Sequence, residues 1–124
     1  LVLDKDLSLP STLHLFDGSV PTIVFTGKEK ESYNNVEYIR LDFSTSILPQ
    51  MMEVLYARNI QSLLVEGGSQ LLQSFLDENC WDEIFVEEAP LTLQDGVKAP
   101  IPPMDRLLET TPYFGRIITR YKRK

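Results

Sequence analysis

The sequence is poor in the residues that form cross-links and transition-metal sites. Its 124 residues include one cysteine, Cys80, and one histidine. An internal disulfide is therefore excluded, and no cluster of His and Cys ligands is available to a metal. A single cysteine fits a reducing, cytoplasmic setting. We expect no metal centre, and we expect Cys80 to be a buried or half-buried thiol at the end of a helix.

Basic residues and long apolar runs are also scarce. Twelve Lys and Arg stand against 18 Asp and Glu, for a formal net charge of −6, whereas a chain that binds nucleic acid normally presents a basic face. No apolar run approaches the roughly 20 residues of a membrane-spanning helix. We therefore expect neither nucleic acid nor a membrane as a partner. The 43% of hydrophobic residues suffices for a core, and the length favours one domain over residues 1–124.

Local patterns predict a chain of alternating strands and helices. Strands are predicted by β-branched and aromatic residues at 1–4, 22–26, 36–41, 62–66, 83–87 and 116–121. Apolar spacing predicts helices at 47–58 and 69–78, with Asn59 as a suitable stop for the first. This alternation favours an α/β fold with parallel strands. Prolines within 90–115 predict a loop there, and the mixed pattern of the last strand places it nearer an edge.

The segment 62–69 joins an apolar strand, a carboxylate, two glycines and a helix start. Open α/β sheets bind ligands beyond the carboxyl ends of their strands, and a helix start offers free N–H groups to a phosphate. Two interpretations of Gly67 and Gly68 stay open: a ligand approaches the backbone there, or a tight turn requires a positive φ. Glu66 favours the ligand, because a carboxylate at the end of a buried strand is costly unless it is paired or used.

Two other predicted strand ends carry polar residues. Lys5 follows the first strand and is able to neutralise a phosphate, although its neighbours Asp4 and Asp6 equally suit a solvated loop. Thr26-Gly27 ends the second strand, where an ordinary turn is the alternative to a ligand contact.

The glycine motif carries a family resemblance. The run SLLVEGG at 62–68, followed by LL at 71–72 and SF at 74–75, resembles the reductase domain of the bifunctional riboflavin-biosynthesis deaminase/reductase. Residues 1–5, 22–26 and 82–90 are similar to the same family in the same order. The resemblance covers nearly the whole chain, and the glycine motif is its specific part.

The resemblance implies a dihydrofolate-reductase-like α/β fold, with a mostly parallel sheet flanked by helices, and NADPH as hydride donor. The implied reaction reduces the ribosyl group of 5-amino-6-(5-phosphoribosylamino)uracil to a ribityl chain. The resemblance implies a substrate contact for Glu66 and assigns no catalytic residue. The cofactor-binding positions that it implies are Lys5, Gly68, Ser69, Gln70, Leu71, Leu72, Gln73 and Ser74.

The resemblance covers the C-terminal part of that reductase domain, since the family's domain begins before Leu1 and its deaminase domain has no counterpart here. We therefore expect a parent protein that carries the deaminase domain. We also expect the isolated chain to be a poor enzyme that associates as a homodimer, because sheet neighbours from the N-terminal part are lacking. The alternative is a non-catalytic nucleotide-binding or interaction module.

Overall fold

The chain divides into two units in the computed structural model, which describes residues 1–124. They are Leu1–Leu63 and Leu64–Lys124, each with its own three-stranded sheet. The prediction of one domain over residues 1–124 stays a prediction.

The first unit contains a parallel sheet with the order β1-β2-β3. Its strands are β1 (Val2–Leu3), β2 (Thr22–Thr26) and β3 (Val36–Arg40). The central strand β2 has neighbours on both sides, and its Val24 and Phe25 are fully buried. A continuous apolar run is what a strand covered on both faces requires, so the predicted strand at 22–26 is confirmed with the predicted bounds.

Helix α1 (Ile47–Ala57) follows β3 and contributes Leu48, Met51 and Leu55 to the buried interior. In the second unit, helix α2 (Ser69–Asp77) buries Phe75. Both predicted helices are therefore confirmed to within one residue at each end. At 11 and nine residues, neither approaches a membrane-spanning segment.

Both helices end on an asparagine in the left-handed backbone region, Asn59 with φ 57° and Asn79 with φ 52°. The next N–H after each asparagine reaches back to the last turn: Ile60 donates to the Leu55 carbonyl at 3.0 Å, and Cys80 to the Phe75 carbonyl at 2.9 Å. This pattern satisfies carbonyls that the helix itself leaves open. The predicted stop at Asn59 is confirmed, and so is the half-buried thiol of Cys80.

The second unit contains an antiparallel sheet with the order β4-β6-β5. Its strands are β4 (Glu83–Glu88), β5 (Leu107–Tyr113) and β6 (Arg116–Lys122). The turn Phe114-Gly115, with φ 44° and 77°, joins β5 to β6 as a two-residue hairpin. The expectation that the last strand lies nearer an edge is wrong, because β6 pairs on both sides.

Strand β5 falls where only a loop was predicted, within 90–115. The prolines of this region argue against a strand, which is why the sequence pattern does not predict β5. Pro112 lies inside β5, where its missing N–H is tolerated because β5 is an edge strand. A loop is present earlier in the same region, at 89–103.

The predicted strand at 62–66 is wrong. Residues 60–68 have no regular secondary structure, and no strand of either sheet pairs with them. Leu64, a strand-like residue by type, is 80% exposed. A strand exists only with a hydrogen-bonded neighbour, so the apolar run alone does not produce one. The boundary between the two units falls within this segment, after Leu63.

Candidate functional site

The glycine pair does not serve a left-handed turn. Positive φ values occur at three other glycines, and Gly68 has φ −62° and ψ 165°. The positive-φ interpretation of the pair is therefore wrong. A Cβ on Gly67 would lie 2.7 Å from Leu71 Cδ2, whereas a Cβ on Gly68 would meet nothing within 4 Å. Packing against Leu71 accounts for Gly67, and Gly68 is a glycine that the fold itself does not require.

Gly68 is also the residue that begins α2. The first intrahelical bond runs from the Leu72 N–H to the Gly68 carbonyl at 3.1 Å. The amides of Ser69, Gln70 and Leu71 precede that bond, and no side chain caps this end of the helix. The first turn carries no acidic residue, so the positive end of the helix dipole is not neutralised there. Open space, free donors and positive potential coincide at Gly68.

Glu66 lies two residues before the helix and is exposed. Its carboxylate takes part in no hydrogen bond or ion pair. The expectation of a carboxylate at the end of a buried strand is therefore wrong, since the segment forms no strand. What remains is a carboxylate that has no protein partner and is open to an external donor.

The second turn of α2 offers fewer free polar groups than the first. Ser74 Oγ donates to the Gln70 carbonyl at 3.0 Å, and Gln73 Nε2 donates to Asp77 Oδ1 at 2.7 Å. Leu72 is half-buried. These side chains bond or pack within their own unit, so the open donors of α2 are the amides of its first turn.

Lys5 lies in the other unit, immediately after β1. Its ammonium is 5.7 Å from the centroid of the Phe43 ring, within the range of a cation–π contact. Its carbonyl accepts two hydrogen bonds from the end of β2, from Thr26 Oγ1 at 3.0 Å and from the Gly27 N–H at 2.9 Å. A Cβ on Gly27 would lie 3.3 Å from that carbonyl and from the Phe43 ring. Thr26 and Gly27 therefore hold the backbone of Lys5 in place.

Asp4, whose sequence context suits a solvated loop beside Lys5, is buried in the structure. Its carboxylate is 6% exposed and accepts hydrogen bonds from Ser8 N–H at 2.9 Å, Ser8 Oγ at 3.2 Å and Leu9 N–H at 3.0 Å. Burial alone would raise the pKa of Asp4, but the bonds from Leu9 and Ser8 outweigh it and hold the pKa below its ordinary 3.8. An acid directly after a half-buried apolar strand is the signal that the sequence offers.

The predicted site residues are thus distributed over both units. Lys5 lies in Leu1–Leu63, together with Asp4, Thr26 and Gly27. Glu66 and the positions from Gly68 to Ser74 lie together in Leu64–Lys124, at the start of α2.

Comparison with known proteins identifies the family. The model of the RibD C-terminal domain matches residues 1–107. Riboflavin biosynthesis protein RibD of Bacillus amyloliquefaciens is 30% identical in a 108-residue alignment that covers 81% of this chain and 29% of that protein. The RibD protein of Aquifex aeolicus is 32% identical in a 104-residue alignment that covers 78% of this chain and 28% of that protein.

A solved structure gives the same result at the level of the fold. The diaminohydroxyphosphoribosylaminopyrimidine deaminase/5-amino-6-(5-phosphoribosylamino)uracil reductase of Thermotoga maritima superposes with a TM-score of 0.77 at 26% identity. The match covers 98% of this chain and 36% of that one, so the chain spans about a third of the length of its relatives. The dihydrofolate-reductase-like α/β class is thereby confirmed. Since the family model covers most of the sequence, the chain belongs to the RibD C-terminal domain family.

Proposed function

We propose that this chain is part of an NADPH-dependent reductase of riboflavin biosynthesis. The reaction is the reduction of the ribosyl group of 5-amino-6-(5-phosphoribosylamino)uracil to a ribityl chain. Family membership supports the reductase, and the Thermotoga maritima relative is named for that activity. Because the chain spans about a third of that relative, the activity is proposed for a parent protein that also carries a deaminase domain.

The observation that carries the proposal is the open space at Gly68. A Cβ there would have no packing neighbour within 4 Å, so packing does not account for the glycine. A phosphate that approaches the backbone does account for it, because a Cβ would stand in its path. The amides of Ser69, Gln70 and Leu71 supply donors that α2 does not use.

The residues present fit an anionic cofactor. The chain has a net charge of −6, so a phosphorylated ligand needs local positive potential. The start of α2, which lacks acidic residues in its first turn, provides one source. In the other unit, Lys5 is exposed, and we assign its ammonium to a cofactor phosphate as a point charge.

Each proposed cofactor residue has a role that follows from its surroundings. Gly68, Ser69, Gln70 and Leu71 bind phosphate through the backbone, and Lys5 acts as a point charge. The second-turn residues Leu72, Gln73 and Ser74 shape the wall of the site, since their polar groups bond within α2. NADPH supplies the hydride when bound, and the protein binds and orients the reactants.

Glu66 is proposed as the substrate contact. Its exposed carboxylate has no protein partner and lies just before the glycine pair. A carboxylate accepts strong hydrogen bonds from hydroxyl and N–H groups, both of which the proposed substrate offers. This role explains an acidic residue beside a site that otherwise favours anions.

A homodimer is the proposed assembly. In Leu64–Lys124 several large apolar side chains are 80–90% exposed: Leu91, Leu93, Val97, Ile101 and Phe114. Every residue of the edge strand β5 is exposed as well. Exposed apolar side chains and open strand edges favour association. Sedimentation of the chain as a function of concentration tests this assembly, and a monomer at all concentrations contradicts it.

NADPH titration of the parent protein tests the cofactor site. In Gly68→Val the branched side chain blocks the approach of the phosphate, so the dissociation constant should rise at least about tenfold while the melting temperature stays close to wild type. Ser62→Val places the same side chain at an exposed position of the same segment and serves as the matched control.

Two outcomes would redirect the proposal. An unchanged dissociation constant in Gly68→Val would show that no phosphate approaches Gly68. NADPH binding by the wild-type parent protein, without oxidation when the substrate is added, would favour a non-catalytic nucleotide-binding module.

A further inference from the structure

The carboxylate of Asp4 is the only buried carboxylate in the chain, and no cation is buried. A buried charge is costly unless hydrogen bonds compensate it. Asp4 has no cationic partner, and its compensation comes from three donors in one short loop, on Ser8 and Leu9. The buried Asp4 carboxylate therefore holds that loop through these hydrogen bonds.

The loop after β1 adopts a conformation that is unfavourable without contacts from outside the loop. Leu7 has φ 55°, a left-handed backbone that is strained for a non-glycine residue. Its N–H turns back to the Asp4 carbonyl at 3.3 Å, while Ser8 and Leu9 turn back to the Asp4 side chain. Such strain persists where the surroundings determine the conformation, and Asp4 supplies those surroundings.

Lys5 is the first residue of this loop, and it is fixed from both sides. Thr26 Oγ1 and the Gly27 N–H hold its carbonyl at the end of β2. Asp4 closes the loop on the other side through Ser8 and Leu9. With its backbone held at both ends, the Cα–Cβ bond of Lys5 has a set direction, and its ammonium lies beside the Phe43 ring.

We propose that Asp4 is a positioning residue for cofactor binding: it holds the loop at residues 5–9 so that the Lys5 ammonium is presented to a cofactor phosphate. The inference rests on the proposed function, which places Lys5 beside NADPH. Asp4 itself touches no cofactor, because its carboxylate is buried and its hydrogen bonds come from the loop. Its effect on binding passes through Lys5.

The test is a double-mutant cycle on the parent protein, with NADPH as the probe. Asp4→Asn keeps the size but places an amide against the Leu9 N–H donor, so the loop loses its anchor. We expect the NADPH dissociation constant to rise about tenfold. Lys5→Ala should raise it by a similar factor, and the double variant should bind no worse than Lys5→Ala alone, because Asp4 acts only through Lys5.

Asp17→Asn is the matched control. Asp17 also holds a turn with its carboxylate, which accepts the Ser19 N–H at 2.8 Å, but it lies before β2 and is exposed. Its substitution should leave NADPH binding unchanged. Amide hydrogen exchange adds an independent readout: in Asp4→Asn the Ser8 and Leu9 amides should lose protection while Val24 keeps it.

The outcomes separate this inference from the proposed function. Wild-type protein that does not bind NADPH overturns both. Wild-type binding with an unchanged dissociation constant in Asp4→Asn overturns the positioning role alone, and so do additive effects in the double variant. If Asp4→Asn does not fold, Ser8→Ala takes its place. It removes one of the three donors and should raise the dissociation constant about two- to threefold, whereas wild-type binding would refute the role.

Discussion

Replacing Gly68 with serine should stabilise the protein and weaken cofactor binding at the same time. Gly68 begins α2 with φ −62° and ψ 165°, the extended conformation that a serine cap adopts. Space for the side chain exists, because no protein atom lies within 4 Å of a Cβ there. The serine oxygen would accept a hydrogen bond from the Gln70 or Leu71 amide.

The stabilisation has two sources. The serine cap contributes a few tenths of a kcal/mol over glycine, and the loss of glycine freedom in the unfolded chain contributes about 0.4–1 kcal/mol. Together they raise the unfolding free energy by about 1 kcal/mol, which corresponds to a melting temperature about 3–5 °C higher. No neighbouring atom opposes this gain.

The same hydroxyl takes an amide from the proposed phosphate site. A hydrogen bond to a charged group is worth about 1.5–3 kcal/mol, so losing one raises the NADPH dissociation constant about 10- to 100-fold. The expected variant is more stable and binds more weakly, a combination that general damage to the fold does not produce.

Thermal unfolding by circular dichroism and NADPH titration measure the two effects. Gly115→Ser is the control, because Gly115 also has open space but a φ of 77°. A serine there costs about 1–2 kcal/mol of strain, so the melting temperature should fall and binding should not change. A stabilised Gly68→Ser protein with wild-type affinity would refute the phosphate site, and a destabilised one would refute the cap geometry.

Three further outcomes are expected. Glu66→Gln should lower turnover of the parent enzyme about tenfold or more while changing stability by less than about 0.5 kcal/mol, since the side chain is exposed and unpaired; a large loss of melting temperature with normal kinetics would mark a structural carboxylate. Leu48→Ala should cost about 2–5 kcal/mol in denaturant unfolding, because Leu48 is 1% exposed, whereas Tyr56→Ala on the same helix, at 85% exposed, should cost less than about 0.5 kcal/mol. Because the pKa of Asp4 is lowered in the folded state, its carboxylate stabilises the fold at pH values above the ordinary pKa of 3.8, and this stabilisation is lost as the pH falls through the folded-state pKa. The unfolding free energy of Asp4→Asn should therefore decline less in acid than that of the wild type. An equal decline in both proteins would contradict this.

Sequence patterns predict those elements whose stabilising partners are near in the chain. The apolar run of strand β2 predicts burial on both faces. Val24 and Phe25, which face opposite sides of the sheet, are indeed both fully buried. The helices α1 and α2 follow from apolar spacing and from Asn59 and Asn79, whose left-handed backbones close the last turns. The glycine motif also identified the family, since its residues are specific at the level of sequence.

The predictions that are wrong concern strand pairing, which a local sequence pattern does not specify. Residues 62–66 have the composition of a strand but no neighbour, and β5 has a neighbour but carries Pro112. The central place of β6 depends on β4, which lies about 30 residues earlier in the chain, and on a hairpin turn whose first residue is Phe114 rather than the usual Asn or Asp.

The Asp4 carboxylate was missed for a related reason. Two of its three hydrogen bonds come from the N–H groups of Ser8 and Leu9, and backbone donors leave no signature in residue type. The start of α2 was found because a helix N-terminus always has open amides, whereas the different reasons for Gly67 and Gly68 emerge only from the positions of their neighbours.

The two-residue turn at Phe114-Gly115 has a kinetic consequence. It makes β5–β6 the most local strand pairing in the chain, and such hairpins form in about 1–10 μs. Strand β4 must then close a loop of more than 25 residues to reach β6, and the parallel pairs of the first unit also close longer loops than the hairpin. The chain should therefore begin folding near its C-terminal end, with β6 presenting a preformed edge on which β4 assembles.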